Sequence, residues 1–297
     1  MGPSPLTSWT FDPAAMLLIA ASGFLYYRRT ATLASRGTPV ELWRRLVFGL
    51  GLVLSFTAVA SPIHELGEQQ FFFAHMIQHI LLGDLAPLCF VAGLTGPILR
   101  PVLALPAVMR LRFLTLPYVA LPIWAANLLL WHLPVAYLAA LHHSGMHAVQ
   151  HLLFFTCGAL MWAPVVEVLP GPEWFGSGMK LGYIAAVRAV ETILGNVFVW
   201  SGGVFYTAYE HPVNRWGISP HADQGIAGGV MMLEGSLVTL GALAWLFLRW
   251  ARESEERQQL LDEGVDRRAA TRAVRYGRGG ELSRRGGTPR SPTGPLL

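Results

Sequence analysis

The chain has 297 residues, 53% of them from the AVILMFWYC set and only 13% charged, against roughly a quarter charged in an ordinary soluble domain. So little charge cannot coat a water-facing surface, which argues against a soluble globular protein. The net charge of +4 does not mark a nucleic-acid-binding face either, because 11 of the 22 basic residues follow position 248, and a charge block confined to a terminus reads as a tail.

A helix needs roughly 20 apolar residues to cross a bilayer. Runs of about that length fall at 13–28, 44–61, 71–94, 115–134, 147–169, 180–203 and 222–250. They predict an all-α, polytopic integral membrane protein, with a seven-transmembrane-helix bundle over residues 1–250. Residues 251–297 turn charged and then rich in Gly, Ser, Pro and Arg, so a short helical extension followed by a disordered basic tail is expected. The first twelve residues contain neither Lys nor Arg. A cleavable secretory signal starts with positive charge, so the first run is expected to persist as a helix. Pro87, Pro122 and Pro164 lie inside spans and should kink them, which membrane helices tolerate when neighbours satisfy the freed carbonyls. Cys89 and Cys157 fall within apolar runs, where they read as packing residues rather than a disulfide.

Arg28, Arg29, Arg36, Arg44 and Arg45 lie between spans one and two, Arg100, Arg110 and Arg112 between three and four, and Lys180 at the start of span six. With the C-terminal block, 20 of the 22 basic residues share one side. That side is cytoplasmic by the positive-inside rule, and seven spans then place the N-terminus outside.

On this topology all ten histidines fall on the outer side. Span three opens with His75-Met76-Ile77-Gln78-His79 and span five with His147-Ala148-Val149-Gln150-His151, the same HxxQH pattern running inward. Residues four apart share one helix face and rise about 6 Å, so each pair aims two imidazoles in one direction. Span seven opens with His221-Ala222-Asp223-Gln224, a partial third copy. Imidazole is the commonest metal ligand and suits copper, zinc, iron and nickel. The expected metal donors are therefore His75, His79, His147, His151, His221 and Asp223; Met76 and Met146 beside the pairs could add thioethers for Cu(I), but methionine in an apolar run usually packs. His142, His143 and His211 read as solvated loop residues, and His64 and His132 sit at span ends. Deeper, Asp84, Arg188, Glu191 and Glu234 come out near mid-membrane, where isolated charge is costly, so they should face inward and pair around Arg188.

These residues resemble a known family. The segments AHMIQHILLGDLAPLCFVAGLTGPILR, MHAVQHLLFFTCGALMWAPVVE and ADQGIAGGVMMLEGSLV look like the polytopic cytochrome c oxidase assembly factors of the Gram-positive CtaG type, over roughly residues 10–250. The resemblance implies a non-enzymatic factor in the bacterial cytoplasmic membrane that partners the haem-copper oxidase subunits and handles copper on the outer side. His75, His79, His147, His151, Asp223 and Gln224 match its motif positions. One departure stands out: Met231-Met232 replaces a tryptophan expected after the Ala-Gly-Gly segment.

Rival readings are a haem-binding membrane cytochrome, with a cross-helix pair such as His79 and His151, and a transporter using Asp84, Glu191 and Glu234. A metalloprotease would need a glutamate where Met76 and Ala148 stand. A retinal protein would need a lysine in the last span, and the sole lysine is Lys180.

Overall fold

Asp12 starts the first helix. Its carboxylate accepts from the Ala14 and Ala15 amides at 3.2 Å each, and Pro13 sits in the first turn, where a missing N–H leaves nothing unpaired. The structure is a computed structural model that describes residues 7–210 and 216–275, all helix and connection with no strand among them.

Helix α1 spans Pro13–Ser35 and α2 spans Leu42–Ala60. Ser61 then caps α3 (Pro62–Gln69) by accepting from the Ile63 amide. Helix α4 (Phe72–Ile80) runs through a π-helical turn (Leu81–Leu85) into α5 (Ala86–Gly93), so that Phe72–Gly93 is one apolar rod. Short helices α6 (Gly96–Leu103) and α7 (Pro106–Leu111) lead to α8 (Pro117–Trp131) and α9 (Pro134–His142). After α10 (Ser144–Val166) and α11 (Ser177–Trp200) come α12 (Pro220–Asp262) and α13 (Arg267–Arg275).

Five helices are long and apolar enough to cross a membrane: Leu42–Ala60, Phe72–Gly93, Ser144–Val166, Ser177–Trp200 and Pro220–Asp262. A sixth arises if Pro106–Thr115 and Pro117–Trp131, bent by 80° at their junction, count as one span. The expected seven thus becomes five or six, for two physical reasons. Helix α8 has only 15 residues, about 22 Å at 1.5 Å per residue, against a hydrocarbon core of about 30 Å. Helix α1 has 23 residues, but its second half holds Tyr26, Tyr27, Arg28, Arg29, Thr30 and Thr32. The extension expected after residue 250 is present as the end of α12 and α13. The disorder expected beyond it, and His211, lie outside the described residues.

The chain divides into two compact units, one of residues 1–172 with 185–238 and the other of residues 173–184 with 239–297. In the second, Ser177 Oγ and Arg249 Nε each donate to Glu253 at 2.7 Å, and Leu260, Ala270, Ala273 and Val274 form a small apolar core. Every side chain discussed below belongs to the first unit. There Tyr26 stacks on Phe48 with centroids 3.6 Å apart and donates to the Gly93 carbonyl. Thr10 N meets the Ala60 carbonyl and Tyr27 Oη the Arg45 carbonyl, so α1 lies antiparallel to α2 along its length.

Candidate metal centre

Two glycines let the histidine helices touch. A Cβ built on Gly158 of α10 would collide with the carbonyl oxygen of Gly83, in the π-helical turn after α4. That carbonyl is accessible because Pro87, four residues on, has no N–H to offer it, and the Ala86 amide instead reaches back five residues to Leu81. Close backbone approach through small residues is how helices pack where lipid supplies no hydrophobic drive. Because α4 and α10 both start at the end where their histidines meet, they run parallel.

Their rings form one cluster. His75 Nε2 and His79 Nε2 are 2.8 Å apart. Across the helix boundary, ring centroids of His75 and His147 are 5.5 Å apart, and those of His79 and His151 6.1 Å. The four rings that the HxxQH spacing aimed in pairs therefore share one buried volume. Two more histidines join it: His64 of α3, 5.7 Å from His147, and His132 at the end of α8, 6.0 Å from His79.

Glu68 of α3 completes the cluster, and the sequence reading passed over it. Its carboxylate lies 2.7 Å from His147 Nδ1 and 3.5 Å from His64 Nε2. Burial works against its charge, but the hydrogen bond from His147 and the nearby His64 outweigh it, holding the carboxyl below its ordinary value. Ionised at neutral pH, it can only accept, so His147 donates to it through Nδ1, and a ring that donates there can turn Nε2 to a metal ion as a lone pair. A carboxylate that fixes a ligand's tautomer this way is the usual support of a metal-bound histidine. The visible signal was His64 and Glu68 four residues apart, one helical turn before span three. His64, buried beside them, is pushed below the ordinary histidine value by that burial, with Glu68 pulling it partly back. A metal ion held by these imidazoles should be retained about 10- to 100-fold more weakly in Glu68→Gln, the typical cost of losing such a support. Competition with a calibrated chelator at pH 7 measures it, and an unchanged affinity would separate Glu68 from the site.

The cluster also holds buried nitrogens with no hydrogen-bond partner: His79 Nδ1, His147 Nε2 and His151 Nε2. The amide of Gln150 is fully buried and unpartnered at both atoms. Gln78, its counterpart in α4, donates through Nε2 to the Ala58 carbonyl and meets His64 Nδ1 at 2.7 Å, while its Oε1 is unpartnered. Each unpaired buried polar group costs about 1–3 kcal/mol, so such a set needs a polar occupant. Neutral imidazole donors fit a borderline or soft transition-metal ion. Among the described residues, no three His, Cys, Asp or Glu side chains are placed to grip one ion together. The donors are gathered but their coordination is not closed, since His75 and His79 turn one nitrogen each toward the other.

His221 and Asp223 are hydrogen-bonded elsewhere. His221 is exposed, with Nε2 3.0 Å from the Ser201 carbonyl. Asp223 accepts from the Phe72 and Phe73 amides at 2.8 and 2.9 Å, capping α4 from a different helix. The free N–H groups at a helix start attract a carboxylate, and both of its oxygens are used there. Gln224 accepts from Phe205 N and donates to Ser201 Oγ and the Gly203 carbonyl. The Ala-Gly-Gly segment serves packing: a Cβ on Gly228 would lie 2.5 Å from the Gly195 carbonyl of α11. His142 and His143 are exposed.

The four mid-membrane groups gather below the histidines, though not around Arg188. Asp84 accepts from Trp162 Nε1 and lines one cavity with Glu191 and Glu234. Arg188 instead donates to the Met232 carbonyl and Ser236 Oγ, with Glu191 3.8 Å away.

Taken together, membrane-length helices bring six histidines and one carboxylate into a single, largely buried cluster, which marks the class as a polytopic membrane protein with a polar site among its helices. A family model for the cytochrome c oxidase caa3 assembly factors (Caa3_CtaG) matches residues 24–253, and the chain belongs to that family. No curated protein and no solved structure matches it.

Proposed function

We propose that this chain serves oxidase assembly by handling copper as cargo at the histidine cluster, and that it is not an enzyme. The observation that carries the reading is the meeting of both HxxQH pairs in one buried volume with unpartnered nitrogens. Open coordination suits a factor that must release its ion to the haem-copper oxidase. An arriving ion would replace the mutual contact of His75 and His79.

The histidine end faces outward in this reading. Arg28, Arg29, Arg44, Arg45 and Arg100 gather where α1 ends, α2 begins and α5 ends, opposite the histidines, as the positive-inside rule requires of the cytoplasmic side. The parallel course of α4 and α10 implies that the intervening chain crosses back, which makes bent α8 a span. Helix α1 matches α2 in extent and exposes Leu17, Leu18, Phe24 and Leu25 at 61–68%, surface suited to lipid. Counting both gives seven crossings, with the N-terminus outside and the C-terminus in the cytoplasm.

A haem between His79 and His151 is disfavoured because Phe154 packs 4.4 Å from the His79 ring and the adjoining cavity of about 50 Å³ leaves no room for a macrocycle. The acids read as a structural network, since Trp162 donates to Asp84 and Arg188 lies 3.8 Å from Glu191.

Copper content of full-length protein purified in detergent tests the function. Wild type is expected to retain copper, and a variant with alanine at His75, His79, His147 and His151 to lose it despite normal membrane insertion. Equal copper in both would overturn the reading.

A further inference from the structure

Below the histidine cluster lies a small cavity of about 50 Å³ whose wall includes Met76, His79, His132 and Met231, with Asp84 and Glu234 among its polar groups. One contact on that wall is chemically unusual. His132 Nε2 stands 3.4 Å from Met76 Sδ, and both side chains are buried. His132 Nδ1 lies 2.7 Å from the Leu128 carbonyl. A carbonyl can only accept, so Nδ1 carries the proton and Nε2 of the neutral ring is a lone pair. The sulfur beside it is also a lone-pair donor. Two lone pairs aimed at each other repel unless an electrophile bridges them.

We infer that Met76 Sδ and His132 Nε2 are the donor pair of a soft-metal site for Cu(I), distinct from the Glu68-supported imidazoles above. Ligand bonds of about 2.0 Å to nitrogen and about 2.3 Å to sulfur, spanning this separation, would meet at about 104°, close to a tetrahedral angle. Thioether selects Cu(I) over harder ions, whereas imidazole alone does not discriminate strongly. His79 lines the same cavity and keeps an unpartnered Nδ1, so the cluster and the cavity share a wall through which an ion could pass. The inference deepens the copper reading yet fails separately from it: the cluster is tested by copper content, this site by the identity of the neighbouring atom.

X-ray absorption at the copper edge of full-length protein, loaded anaerobically with Cu(I), reads that neighbour directly. Wild type is expected to show a sulfur scatterer at about 2.3 Å, and Met76→Leu, which nearly conserves volume, to lose it. His147→Ala is expected to keep it. A wild-type spectrum without sulfur overturns the proposal even if the variant does not fold, and so does sulfur that persists in Met76→Leu. A zinc-loaded sample should show nitrogen and oxygen only, and sulfur there would refute the selectivity.

Discussion

Gly158→Ala is expected to unfold the histidine cluster without altering a single donor. The added methyl meets backbone, the Gly83 carbonyl, and not the movable end of a side chain. Overpacking a close-packed interior costs about 1–3 kcal/mol, and an obstacle of backbone belongs at the upper end. Helices α4 and α10 would have to separate, carrying His79 away from His151. Gly145→Ala on the same helix is the control: a Cβ there meets nothing within 4 Å, and alanine favours a helix by about 1 kcal/mol over glycine. Cys157, buried beside Gly158, reports the outcome through its reaction with a thiol-specific dye during thermal unfolding. The Gly158 variant should melt well below wild type and lose copper, whereas Gly145→Ala should do neither. Coincident melting curves for all three proteins would mean that the two helices are not held by this contact.

Asp223→Ala should cost roughly 2–4 kcal/mol, from two charge-assisted hydrogen bonds to backbone amides less what water restores. The effect should be felt first at Phe72 and Phe73, where α4 loses its cap, three residues before His75. His221→Ala, two positions earlier, should change neither stability nor copper binding by a measurable amount, since its ring is exposed and touches only a carbonyl. Hydrogen exchange across 70–80 distinguishes capping from ligation. Faster exchange in apo Asp223→Ala than in apo wild type marks a cap. Exchange that differs only when copper is present would restore Asp223 to the ligand set.

Much of the architecture was legible beforehand because a chain in lipid must satisfy its own backbone polar groups. Apolar runs expected at 71–94, 147–169 and 180–203 appear as Phe72–Gly93, Ser144–Val166 and Ser177–Trp200. The count of seven was less secure for a reason intrinsic to hydropathy. Helix α1 interleaves its apolar stretch with Arg28 and Arg29, and α8 is broken from the helix before it at Leu116, so five helices, or six with the bent pair as one span, have the length and composition of a crossing. Of the candidate site, the pairing of His75 with His79 and of His147 with His151 follows from helical periodicity. Asp223, expected as a donor because His221-Ala222-Asp223-Gln224 looks like a partial third copy of the histidine pattern, accepts instead from two backbone amides. Its partners lie 150 and 151 positions away along the chain.

What the sequence determined by itself is therefore local: which stretches are helical, which side chains share a helix face, and that two such faces carry imidazoles. Only the tertiary structure decided that Glu68, His64 and His132 join them, that the Gln78 amide nitrogen finds partners while neither end of Gln150 does, and that Met76 meets His132. The physical reason is that periodicity orients a side chain about its own axis and says nothing of which axis lies opposite. That choice was made by a carbonyl freed at Gly83 and by the missing side chain at Gly158, a contact between residues 75 positions apart.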